Sequence, residues 1–220
     1  MSAKPNKPQS ETPSSIKKQN RIPKYGDNYN RGYIGFTYND SNFVSRGIAY
    51  FTGFGRMSDI ITTHTLIVTG ADECIEAHAQ SGVQRSNLSK YFDDEQCDIF
   101  FRKPRGLSED IATNLINRAE QELNSEYDLR LIAAHAAAGT MLGHFLNRLS
   151  QGQLEKQIAQ LLNKADAWIC SELIAYCLDQ DPYKDQGILK EPWETISPQE
   201  LFEDSLGQIF EPWRDFQQQN

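Results

Sequence analysis

The stretch "DIITTHTLIVTGADECIEAHA", residues 59–79, decides how this chain folds. Its first half is dense in β-branched residues and ends at Gly70, the pattern of a strand over 59–68. A second strand over 73–79 follows the short gap "TGAD", so the two read as a hairpin. His64 stands between threonines in the first strand, where an aliphatic side chain would pack more cheaply, and the partner strand carries Glu76. Whether the two meet is a matter of parity. With Thr69–Ala71 as the loop, Val68 faces Asp72, and His64 lies directly opposite Glu76 on one face. A five-residue loop makes them diagonal neighbours on the same face; an even loop splits them across the sheet unless a bulge intervenes. In the odd cases the carboxylate can hold one ring nitrogen and leave the other for a reacting group.

Working outward, "GYIGFTYN" (32–39) and "CDIFFRKP" (97–104) are further strands, with a loop between 79 and 97. "SNFVSRGIAYFTG" (41–53) has helical spacing. After Pro104 the period becomes 3.6. "SEDIATNLINRAEQELN" (108–124) has a Ser cap, acids in its first turn, and a face of Ile111, Leu115, Ala119 and Leu123. Two further helices are expected over 127–149 and 153–163, with a break near Ser150–Gly152, then helices from Asp166 onward and at "SPQELFED", with "GQIF" as a last short strand. Strands followed by helices predict an α+β fold, an antiparallel sheet packed against helices.

The 220 residues carry a formal charge of −8, which argues against nonspecific nucleic-acid binding. Residues 1–28 are basic, rich in Pro, Ser and Lys, and without apolar periodicity; a flexible tail is expected there, with one domain over 29–220. No secretory h-region follows the early charges, and the longest apolar run, "LIAAHAAAGTML", is 12 residues and contains His135, so no membrane span is expected. The four cysteines, at 74, 97, 170 and 177, form no CxxC pair and read as free thiols in a reducing cytoplasm.

"DAWICSELIAYCL" (166–178) places Cys170 near the start of a helix capped by Asp166, where unpaired amides and the helix dipole favour a thiolate. The same amides can donate to an oxyanion. Cys170, Leu173 and Cys177 also read as a plain apolar stripe. A thiol nucleophile needs an imidazole. His135 and His144 are nine residues apart and fall on opposite faces of a helix, so they form no joint site and read as surface or core histidines; His64, mid-strand between threonines, is the stronger candidate. A rival use of the hairpin is metal ligation by His64, Cys74, Glu76 and His78; the spacings match no familiar zinc pattern, and no metal or cofactor is expected.

The order His, Glu, then Cys on a late helix resembles the circularly permuted papain-like cysteine hydrolases of the NlpC-type superfamily, the YiiX-like group. The resemblance covers roughly residues 32–204: "YIGFTYNDSNFVSRGIAYFTG", "TTHTLIV", "CIEAHAQSGVQRSNLSKYF", "CDIFFRKP", "WICSEL" and "SPQEL" occur in the family's order. It implies Cys170 as nucleophile, His64 as general base and Glu76 as the residue orienting it, with Tyr127 of "EYD" as an oxyanion-binding residue. The implied activity is an amidase or peptidase, with a small peptide, acylated amino acid or lipid amide as substrate. Acyl transfer, or a binding module without turnover, is the alternative. The segment between Tyr127 and Cys170 reads as a helical insertion around 129–163, a lid or one wall of a pocket.

Overall fold

The computed structural model describes residues 22–39, 60–78, 81–127 and 167–212. Five strands are built where the chain alternates or runs apolar: β1 (Ile34–Asn39), β2 (His64–Val68), β3 (Glu73–His78), β4 (Gly82–Asn87) and β5 (Cys97–Arg102). They form one antiparallel sheet in the order β4-β3-β2-β1-β5. Four helices are described with it: α1 (Ser89–Phe92), α2 (Glu109–Gln121), α3 (Cys170–Leu178) and α4 (Pro198–Glu203). Two short strands, β6 (Glu126–Tyr127) and β7 (Ala167–Trp168), pair in parallel. The fold is α+β, as the order of elements predicts.

The pleat sorts side chains onto two faces. Ile34, Phe36, Ile67, Ile75, Ala77, Val83 and Phe100 share one, and α2 and α3 pack on it through Leu115, Ile116, Ala119, Leu173, Ile174 and Leu178. Each fully buried leucine or isoleucine here contributes about 2 kcal/mol. The other face carries Leu66, Val68, Cys74 and Phe101, covered by Tyr29 and Leu88. The Tyr29 ring stacks on Phe101 at 4.5 Å between centroids. The turn that leads into Tyr29 lies within residues 22–28, where Gly26 N–H donates to the Tyr29 carbonyl.

The strand expected over 59–68 is shorter than its composition suggests. Residues 60–62 find a side chain as partner instead of a strand. The buried Gln199 of α4 accepts from Thr62 N–H at 2.9 Å and donates to the Ile60 carbonyl at 3.0 Å, imitating a ladder. Gln199→Leu leaves the buried Thr62 amide without this acceptor and is expected to destabilise by about 2–4 kcal/mol in a urea titration. An unchanged midpoint would show the clamp to be redundant.

Several boundaries differ from expectation for identifiable reasons. The loop expected between 79 and 97 contains β4 and α1. Sequence "GVQRSN" hides its strand because only Val83 enters the core; Gln84 and Ser86 face a polar partner. Gly82 makes the turn into β4 with φ +72°, and a Cβ there would lie 2.1 Å from the Ser125 carbonyl oxygen. Helix α2 starts at its Ser108 cap as expected, but buries Ala112, Leu115, Ile116 and Ala119, with Ile111 and Leu123 at the margin. "GQIF" makes a single bridge, Pro104 with Phe210, because Asp204 takes the amides of Gln208, Ile209 and Phe210. Helix α4 starts in the segment expected to be helical, and Ser197 and Glu200 form a capping box at its start. The expected helix at 41–53, the insertion around 129–163, His135 and His144 lie outside the described residues. No helix among the described residues is long and apolar enough to cross a membrane.

Candidate functional site

The hairpin takes the five-residue form. Val68 pairs with Cys74 and Ile67 with Ile75, so the directly opposed register of a three-residue loop does not occur. Counting by twos from that pair puts His64 and Glu76 on one face as diagonal neighbours. Their side chains meet: His64 Nε2 lies 2.8 Å from Glu76 Oε2. The carboxylate can only accept, so Nε2 carries the proton and Nδ1 faces away from Glu76.

Cys170 comes to the same place from the opposite side of the sheet. It is the first residue of α3, whose N-cap is Ile169 and not Asp166. The correction has a structural cause: Ala167 and Trp168 are held extended by pairing with Glu126 and Tyr127, so the helix starts three residues later than its sequence suggests. The Ile169 amide donates to Glu172, which caps the helix from within. Position 170 is therefore at the very start of α3, where the dipole favours an anion most. The β2–β3 ladder ends at Ile67–Ile75, and the Thr65 amide just beyond it donates to the Cys170 sulfur, as does the Ser171 amide. The Cys170 side chain is also hydrogen-bonded to His64.

These contacts set the charge states. Burial pushes the Cys170 thiol up, but the His64 charge and hydrogen bond, helped by the two amides, outweigh it and lower its pKa below the usual thiol value. Burial disfavours a charged His64, but the Cys170 sulfur and then Glu76 override that and raise it to about 10. Burial pushes Glu76 up as well; the hydrogen bond and charge of His64, then Lys90, hold it below the usual carboxylate range. The contact of His64 with Cys170 thus favours a thiolate beside an imidazolium, with an ionised carboxylate behind them. Cys170 is 3% exposed, and the His64 side chain is 17% exposed, so the site meets solvent at the imidazole.

Glu76 has a retinue that sequence reading did not find. Its Oε2 also accepts from the Tyr91 hydroxyl, and its Oε1 accepts from Lys90 Nζ, Ser86 Oγ (2.6 Å) and Gln84 Nε2 (3.2 Å). The signal for it was the pair Gln84 and Ser86, polar at a spacing of two after a glycine, followed by Lys90 and Tyr91. With its oxygens so engaged, Glu76 is poorly placed to ligate a metal. Cys74 is no better: burial, then the Glu76 charge, keep its thiol protonated, and its sulfur points at the Ser86 carbonyl. No cluster of three His, Cys, Asp or Glu suited to an ion occurs among the described residues. His78, at the strand end, lies 3.3 Å from Ser81 Oγ, and burial lowers its pKa.

All four cysteines are free. Cys74, Cys97 and Cys177 are held protonated chiefly by burial, the last two at about 12, so Cys170 alone among the four is driven toward the thiolate. Cys97 is half-buried. Tyr127 pairs with Trp168, two residues before Cys170, so its backbone runs beside the segment that leads into α3; its side chain lies outside the described residues.

No protein-family model matches the chain, and no curated protein matches it. The site must be read from its geometry.

Proposed function

We propose that this protein is a cysteine hydrolase of the amidase or peptidase type, with the permuted papain-like arrangement that the sequence resembles. The observation that carries the reading is the chain of contacts from the Cys170 thiol to the His64 ring to the buried Glu76 carboxylate. Nucleophilic acyl chemistry needs these three parts: an activated thiolate, a base beside it, and a group that fixes the base's tautomer.

In the proposed cycle the Cys170 thiolate attacks the carbonyl carbon of an amide. The amides of Ser171, in the first turn of α3, and of Thr65, in β2, stabilise the sulfur anion in the resting state and are the donors available to an oxyanion beside it. The His64 imidazolium then gives its proton to the departing amine, leaving a thioester on Cys170. Neutral imidazole next takes a proton from water, whose oxygen attacks the thioester; the acid leaves and the ion pair is restored. Acyl transfer differs only in the last acceptor, an amine or alcohol in place of water. The substrate class is a small peptide, an acylated amino acid or a lipid amide, and the expected setting is the cytoplasm.

The test is to incubate the protein with activated esters of N-acyl amino acids, quench in acid and measure intact mass. The expected result is one acyl adduct, mapped to Cys170, sensitive to hydroxylamine and absent in Cys170→Ala. Turnover without such an adduct, or an adduct that persists in Cys170→Ala, defeats the proposal.

A further inference from the structure

The cation beside Glu76 calls for an explanation that orientation of His64 does not provide. Glu76 is completely buried and already receives hydrogen bonds from His64, Tyr91, Ser86 and Gln84. These suffice to fix the carboxylate's plane. The fold nevertheless spends a four-residue helix, α1, anchored by the fully buried Leu88, on bringing an ammonium to Oε1. Lys90 is held there from several sides. Its Nζ also donates to Ser86 Oγ at 3.1 Å and sits 4.8 Å from the centroid of the Tyr91 ring. Its side chain is 38% exposed, so a route to water was open to it.

Charge counting supplies the reason. Thiolate, imidazolium and carboxylate together carry one net negative charge in a poorly solvated place. With Lys90 included, the resting cluster is neutral. It remains neutral in the thioester state, where Cys170 and His64 have both lost their charges and Glu76 faces Lys90 alone. An uncompensated carboxylate would instead hold the proton on His64 too tightly for the ring to act as a base toward water.

We propose that Lys90 is a positioning residue of this site, acting through Glu76: its ammonium balances the buried carboxylate, so that His64 is oriented without being locked in its protonated form. This inference rests on the hydrolase reading above.

The titratable and charged neighbours leave the balance to these groups. From β3, Cys74 is protonated, His78 is kept toward its neutral form by burial, and Glu73 lies at the exposed strand start. From α1, the Tyr91 hydroxyl is kept protonated by burial and by Glu76. From the β5 side, the Cys97 thiol is held at about 12 by burial, with Asp94 and Asp98 acting on it. From α3 comes Cys170 and from β2 His64, the pair that the balance serves.

The test follows protons instead of turnover. Thiolate formation at Cys170 is read from the pH dependence of its labelling by iodoacetamide, and deprotonation of His64 from the NMR titration of its ring. Removing a nearby positive charge makes every proton harder to lose, so Lys90→Met is expected to move both midpoints upward, His64 by about one pH unit. Lys90→Arg restores them, and Glu76→Gln moves both downward. In the double variant Glu76→Gln/Lys90→Met the shifts oppose each other, and the midpoints return toward wild type. If Lys90→Met does not fold, the step from Glu76→Gln to the double variant reads the same charge without a lone buried carboxylate.

Midpoints that stay put in Lys90→Met, or labelling that falls at every pH with unshifted midpoints, overturn the proposal and make Lys90 a structural residue. A wild-type Cys170 that labels no faster at pH 6 than Cys97 overturns the hydrolase reading itself, which is a different outcome.

Discussion

His64→Ala is expected to slow the labelling of Cys170 by iodoacetamide at pH 6 by about 100-fold. The imidazolium is the main influence opposing burial at this sulfur. Without it, desolvation of a side chain only 3% exposed prevails and the thiol rises toward or past its ordinary value of 9.0. A thiol of pKa 9.0 is only about a thousandth ionised at pH 6, and the greater nucleophilicity of a more basic sulfur recovers about one power of ten. Cys74, Cys97 and Cys177 serve as internal controls, since their thiols stay protonated in either protein. Mass-spectrometric mapping of the label gives the rate at each position. Equal rates at Cys170 with and without His64 would mean that the two side chains do not form the ion pair on which the mechanism depends.

Glu76→Ala carries the largest expected effect on stability, a loss of about 3–5 kcal/mol in chemical denaturation. The substitution takes away the acceptor of five donors at once and leaves the His64 ring without its carboxylate partner. Lys90 can turn to water, but Tyr91 is held in the interior with its hydroxyl unsatisfied. The carboxylate also has a pH signature. Its folded pKa is depressed, so its contribution is fully present above the unfolded value near 4.5 and is lost as pH falls below it. Wild type is therefore expected to lose stability steeply below about pH 4.5. Glu76→Ala should show a shallower loss. Parallel acid profiles for the two proteins would mean that Glu76 is not ionised in the native state.

The hairpin, the Ser108 and Ser197 caps and the α+β class were legible because each is a local property. β-branched runs, the turn around Gly70 and a serine before an acid act over a few residues. The pairing of His64 with Glu76 was half legible: strand parity limits them to one face or two, and the loop length that chooses is set by where the β2–β3 ladder closes. Cys170 was placed near a helix start for the wrong reason. Asp166 is a good cap by composition, and only the parallel pairing of Tyr127 with Trp168 delays the helix to residue 170.

What the sequence determined by itself was the set of reactive groups and the faces they could occupy, since pleat and helix periods follow from backbone geometry alone. What the tertiary structure decided was which groups touch. Burial of the thiol against His64, the Thr65 amide left over beyond the end of a ladder, and the ammonium delivered to Glu76 by a four-residue helix depend on segments far apart in the chain. A charge state follows from distances and desolvation, and these exist only once the sheet and α3 have closed on each other.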